Sequence, residues 1–131
     1  MQTNTMITIY NHYIDPDTQM NCYQRTIVGP VLWDSATTIK EEVVTVYIPF
    51  SADPKGYYVK PKAFAALADK SGCWTLQPED KIVRGSIDFE PNANQWIGQL
   101  DQQYDDVIAI SRVDTRDFGS AAMQHWEVGG V

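Results

Sequence analysis

Trp74-Thr75-Leu76-Gln77-Pro78-Glu79-Asp80-Lys81-Ile82-Val83-Arg84-Gly85 sets two short apolar arms around a four-residue turn with proline in second place. Proline's fixed φ suits that position, so the stretch predicts a tight β-hairpin turning at Gln77, Pro78, Glu79 and Asp80. Trp74 and Leu76 supply one arm, Ile82 and Val83 the other.

Toward the N-terminus the strand pattern continues. Met6 to Tyr13 is rich in β-branched and aromatic residues and ends at Asp15-Pro16-Asp17, which reads as a first strand and a turn. A second strand is expected from Asn21 to Trp33, interrupted at Gly29-Pro30, where a missing amide donor suggests a bulge or edge bend. Glu42 to Pro49 predicts a third, with Val44, Val46 and Ile48 on one face and Val43, Thr45 and Tyr47 on the other. Ser51 to Tyr58 has turn chemistry and reads as an exposed loop. Pro61 opens a helix of about two turns that carries Phe64, Leu67 and Ala68 and stops before Gly72.

Toward the C-terminus, Asp88 to Asn94 reads as a connector. Trp96, Ile97, Leu100 and Tyr104 then recur at helical spacing, with Asn92 or Asn94 available as a cap. Val107 to Val113 and Met123 to Val128 have strand composition, and the polar stretch Asp114 to Ser120 joins them as a final hairpin. No repeat or linker breaks this order. The residues thus describe a mainly β fold with two short α-helices, one domain over residues 1–131.

A chain of this length buries roughly two-thirds of its unfolded surface and can fold without staples. Its net charge of −7 argues against gaining affinity by neutralising phosphates or anionic lipids. Cys22 and Cys73 lie far apart in sequence without a second cysteine near either, which suggests two buried thiols in a cytosolic setting. The start lacks the pattern of an export signal, and no apolar run approaches bilayer length, so neither export nor membrane insertion is expected.

Catalytic chemistry finds little purchase. His12 and His125 are the two histidines, and each reads as a polar strand position beside Tyr13 or Trp126. A ligand or metal site would need them to meet carboxylates such as Asp15, Asp17 or Glu127. Asp15-Pro16-Asp17-Thr18-Gln19 lacks the glycine and the closing glutamate of a calcium loop and reads as a turn. The adjacent pairs Glu41-Glu42 and Asp105-Asp106 diverge instead of sharing a face. Phosphate-binding glycine loops are missing, since Gly29, Gly56, Gly85 and Gly98 stand singly. The aromatics scatter over every element, as core residues do, but adjacent Tyr57 and Tyr58 cannot both enter one core, so one is expected to meet a partner.

The order of elements resembles that of small tailed-phage head-completion proteins. Ile7-Thr8-Ile9-Tyr10-Asn11, Trp74 to Gly85, Tyr104-Asp105-Asp106-Val107 and Gln124-His125-Trp126-Glu127-Val128 look like those of a phage structural family of head-closure or minor-capsid type. Such relatives usually carry Gly-Asp in the central turn, where this chain has Glu79-Asp80. The resemblance implies a small antiparallel β-barrel without enzymatic activity or cofactor. It would assemble as a dodecameric homo-oligomer in the virion neck, between portal and adaptor proteins and tail proteins, after synthesis in the host cytoplasm. Genomic DNA would pass the channel without sequence-specific binding, eased by acidic walls. Ser51, Asp53, Lys55, Gly56, Tyr57 and Tyr58 would form an interface or channel loop. A tail-side completion protein of similar fold, or a small β-barrel ligand binder or enzyme, are the alternatives.

Overall fold

The structure, a computed structural model, describes residues 2–37, 42–53, 55–91 and 95–131. Six strands, β1 (Thr5–Ile14), β2 (Asn21–Thr37), β3 (Glu42–Pro49), β4 (Lys81–Arg84), β5 (Val107–Arg116) and β6 (His125–Gly130), close an antiparallel barrel in the order β1-β2-β3-β6-β5-β4. Two short helices, α1 (Pro61–Ala66) and α2 (Gln99–Gln103), lie in the connections.

Alternation fixes which side of each strand faces in. Val44, Val46 and Ile48 of β3 are buried while Val43, Thr45 and Tyr47 are half-buried, as the pattern of that strand predicts. On β1, by contrast, the five residues from Ile7 to Asn11 are all buried. Ile7 and Ile9 join the barrel core, whereas Tyr10 belongs to a second cluster with Val83, Phe89 and Leu100. The 85–106 connection therefore covers the outer face of β1 and β4, and the Tyr10 hydroxyl donates to Phe89 O at 2.7 Å beneath it.

The interruption expected at Gly29-Pro30 is a bulge. Thr5 faces Val31 but Ile7 faces Val28, so β2 holds one extra residue there, and the Gly29-Pro30 peptide is cis. A Cβ on Gly29 would lie 2.6 Å from Met6 Sδ and 3.1 Å from Met6 Cα, so a side chain there would require Met6 to shift. Immediately beyond, β2 leaves β1 and pairs with β3 from Leu32 to Thr37, making the barrel corner.

Four expectations need correction. Trp74 to Gln77 does not pair with Lys81 to Arg84 as a hairpin, because both edges of β4 are already taken, by β1 and by β5. The turn itself forms: Asp80 N–H donates to Gln77 O, and Glu79 holds the left-handed φ of 75° that favours glycine. Helix α1 is a single short piece. Leu67 is already extended at ψ 129°, no side chain caps the start, and so Leu67 and Ala68 lie outside it. Helix α2 starts at Gln99, leaving Trp96 and Ile97 before it. The Trp96 ring lies on Gly98, where any Cβ would overlap it, and the cap expected from Asn92 or Asn94 lies outside the described residues. Cys22 and Cys73 are free and half-buried instead of fully buried.

Candidate functional site

An asparagine in a strand of isoleucines, threonine and tyrosine is out of place by propensity, and the structure uses it to hold the buried segment from Trp74 to Asp80. Asn11 acts as a strand edge made from a side chain. Its Nδ2 donates to Thr75 O at 2.8 Å while its Oδ1 accepts from Thr75 N–H at 3.1 Å. The same Nδ2 donates to Asp80 Oδ2 at 2.9 Å, and the His12 backbone N–H donates to Asp80 Oδ1 at 3.2 Å. Asp80 is 3% exposed. Burial pushes its carboxyl above the ordinary range, with the donors Asn11, His12 N–H and Gln77 pulling the other way. On the outer side of the turn, Glu79 N–H donates to Ile110 O and Ile110 N–H to Asp80 O, which ties it to β5.

This knot sets the aromatic plug. Trp74 lies against Tyr58 and Trp126 with ring centroids 5.1 and 5.3 Å apart, and Trp126 also meets Tyr58 at 4.5 Å and Phe50 at 4.4 Å. Such aromatic contacts favour tilted and edge geometries and bury large areas. The interior is thus packed with side chains.

The loop proposed from the sequence splits its two tyrosines as expected. Tyr58 enters the plug, and Tyr57 remains 47% exposed. The Asp53 carboxylate sets this geometry by accepting the Tyr57 N–H at 3.1 Å and the Tyr58 N–H at 2.8 Å. Ser51 lies in a 3-10 turn, Phe50–Ala52, and Lys55 and Gly56 are exposed. The Lys55 ammonium stands 6.0 Å from the Tyr57 ring.

Among the described residues, neither histidine ring bonds Asp15, Asp17 or Glu127. The His12 ring bonds Asn21 Oδ1 at 2.8 Å, and His125 Nδ1 bonds Met123 O at 2.8 Å. Asp15 accepts from the N–H groups of Asp17 and Thr18 within its own turn. Glu127 lies with Arg112 and Arg116, which also reach Asp114. Among the described residues, no group of three His, Cys, Asp or Glu side chains is placed to hold a metal ion, and no helix is long and apolar enough to cross a membrane.

What stands out on the surface is one end of the barrel. Strands β1 and β5 are each antiparallel to β4, so they run the same way and their connections to β2 and β6 emerge at the same end. In the closed order those two seams are diametrically opposed. One side of this end exposes Ile14, Met20 and Trp96 at 55–61%, and the other exposes Phe118 and Met123 at 69% and 64%. Met20 and Trp96 line a groove of about 640 Å³ with Tyr13, Cys22, Tyr23 and Ile97. Sequence reading passed over these positions, since Ile14 and Met20 flank a polar turn, Trp96 carries a helix period, and single apolar residues in loops are ordinary.

A family model described as "Family of unknown function (DUF6751)" matches residues 2–131. No curated protein and no solved structure matches the chain.

Proposed function

We propose that the chain, which belongs to the DUF6751 family of unknown function, is a structural component of a tailed-phage virion. In this reading it is a head-closure subunit that joins copies of itself in a ring between the portal-adaptor complex and the tail, prolonging the DNA channel. The observation that carries it is the apolar end of the barrel. Five large apolar side chains, Ile14, Met20, Trp96, Phe118 and Met123, are exposed at opposite sides of one end of a tightly packed barrel. Exposed apolar groups gathered in this way suit docking onto a protein partner along the barrel axis.

Two further features support an assembly role over a catalytic one. The interior is filled by Trp74, Trp126 and the apolar strands, so a path for DNA would form between copies and not through one. The net charge of −7 suits a wall past which a duplex slides without adhering.

Imaging of assembled particles, or of purified portal complex mixed with the protein, tests the proposal. Ring density between portal and tail is the expected result. Density within the tail would transfer the same barrel to a tail-side completion role, and no association with either would remove the phage reading in favour of a ligand-binding barrel.

A further inference from the structure

The barrel is closed, yet two of its strands each keep a stretch of open edge. His12 donates its backbone N–H to Asp80 Oδ1 and accepts at its C=O from Gln77 Nε2, both on the side away from β2. The backbone groups of one strand residue point to one side and alternate along the chain. In the β1–β2 ladder, His12–Tyr23, Tyr10–Arg25 and Thr8–Ile27 are therefore the pairs that do not bond each other. The N–H and C=O groups of Tyr23, Arg25 and Ile27 point away from β1, and β3 does not take them, because its pairing with β2 begins at Leu32. Residues of the 52–74 stretch lie beside this edge, at Gln24 and at Thr26 to Val28, but among the described residues none bonds to it.

The second half of β5 is built in the same way. Phe50 N–H donates to Gln124 O and Ala109 N–H to Val131 O, which assigns the even-numbered residues of β6 to β3 and the odd-numbered ones to β5. Arg112, Asp114 and Arg116, opposite Gly129, Glu127 and His125, thus bond to β6, while Val113 and Thr115 turn their backbone groups outward. Strand β4 reaches Ala109, and the turn at Glu79 and Asp80 adds Ile110. Among the described residues no backbone group bonds the outward side of Val113 or Thr115. A bulge borders each open stretch, at Gly29-Pro30 in β2 and at Ser111 in β5.

We propose that the open edge of β2, Tyr23 to Ile27, pairs with the open edge of β5, Val113 to Thr115, in a second copy of this chain. An open edge offers a row of donors and acceptors to another strand, and this molecule carries two that match. Strands β2 and β5 stand on opposite sides of the closed order, so the contact is head-to-tail and each copy keeps one edge for its next neighbour. They run in opposite directions, and rotation about an axis along the barrel preserves direction, so β2 of one copy meets β5 of the next antiparallel. Both stretches also lie toward the same barrel end, where the β1–β2 and β5–β6 connections emerge. Copies joined at one level close a ring instead of climbing into a filament.

The apolar side chains support the same occupant. Antiparallel pairing brings Met20, just before the β2 stretch, toward Phe118, just beyond the β5 stretch, and both are at least 60% exposed in the single chain. The apolar groups of the barrel end thereby become continuous from copy to copy around the ring. This assignment rests on the reading of the chain as a ring subunit and names its lateral contact.

The test uses concentrated chains carrying Cys22→Ser and Cys73→Ser and one new cysteine each, Gln24→Cys on one and Asp114→Cys or Arg116→Cys on the other. These positions flank the outward-facing residues, so in the joined ladder they form the close, non-hydrogen-bonded pairs whose spacing a disulfide fits. After mixing and oxidation, mass spectrometry without reductant should show unlike chains linked far more often than like chains. Thr115→Pro deletes an outward N–H without touching the bonds to β6, so the chain should fold as before while the link yield falls about tenfold, the effect of losing one or two backbone hydrogen bonds. Ile27→Lys, which sets a charge on the open edge, should act likewise from the other strand. Absence of links between unlike chains, equal linking of like chains, or links that survive both Thr115→Pro and Ile27→Lys would each overturn the proposal, as would a strand of a different protein lying along β2 on assembled particles. Links between unlike chains without ring density on particles would keep this contact and remove the phage reading alone, whereas ring density without the links would remove this contact alone.

Discussion

Truncating Asn11 to alanine removes three hydrogen bonds from one place and leaves the donors and acceptors behind. Thr75 is fully buried, and both its N–H and its C=O bond to the Asn11 amide. Each buried backbone group left unpaired costs about 1–3 kcal/mol, so the two together cost about 2–6 kcal/mol. Asp80 Oδ2 also loses its Asn11 donor while remaining buried, which puts the expected loss in the upper part of that range. A domain has about 5–15 kcal/mol in total, so Asn11→Ala should bring the protein near its folding threshold. Urea titration followed by tryptophan fluorescence measures this. With a slope of about 2 kcal/mol/M, the midpoint should fall by roughly 2–3 M. Trp74 adjoins Thr75, so near-ultraviolet circular dichroism should change even under conditions where the variant stays folded. A loss below about 1 kcal/mol, within the range of an ordinary surface substitution, would refute the idea that this amide holds the buried segment. Asn11→Asp sharpens the test. It sets a second carboxylate against Asp80 and Thr75 O, so the defect should be larger near neutral pH and should shrink on acidification as one carboxyl takes up a proton and donates in place of the amide.

Three other outcomes follow from the same structure. The folded Asp80 carboxyl titrates above its ordinary 3.8, so the native state binds its proton more tightly than the unfolded chain. Its ionisation therefore subtracts stability as pH rises from 3.8 through the folded value, and the wild type should gain on Asp80→Asn as pH falls through that window in paired urea titrations. At neutral pH the Asp80→Asn variant should nevertheless be weaker than wild type by about 1–3 kcal/mol, because Asn11, His12 N–H and Gln77 all present donors to the carboxylate and an amide faces one of them with a donor of its own. Gly130→Ala should destabilise by several kcal/mol or abolish soluble folded protein, since its Cβ would lie 2.5 Å from Ala109 O, a backbone atom with no rotamer to yield; thermal unfolding within a degree or two of wild type would contradict this. Glu79→Gly should raise stability by about 0.5–1 kcal/mol by relieving a left-handed residue, net of the added freedom of the unfolded chain, as read by the midpoint of denaturation.

Local signals carried most of the strands. β3 was legible to its last residue because Val44, Val46 and Ile48 alternate without interruption, and Gly29-Pro30 announced the bulge through the missing donor. The central segment misled for a physical reason. Pairing of its arms looks favourable over twelve residues, but β4 has two edges, and distant β1 and β5 occupy both. Nothing near Trp74 records that competition. The helices were overextended because Trp96 and Leu67 fit a helical period while their backbones serve other contacts. The splitting of Tyr57 and Tyr58 was readable from adjacency alone, whereas the apolar barrel end was not. Ile14 and Phe118 stand about a hundred residues apart, and the direction shared by β1 and β5 is what gathers them at one end.

Strand β6 pairs on one side with β3 and on the other with β5, and its last residue, Gly130, faces both Val44 and Ile110. On the ribosome this means that β1 to β5 are synthesised before the strand that joins them exists. Until residue 130 has cleared the exit tunnel, β3 and β5 each expose an unpaired edge, the state in which β-proteins mispair with one another. Closure is then a single late event between segments about eighty residues apart, which predicts slow folding set by topology. Completion of the barrel therefore waits on β6, whose pairing seals the open edges of β3 and β5 together.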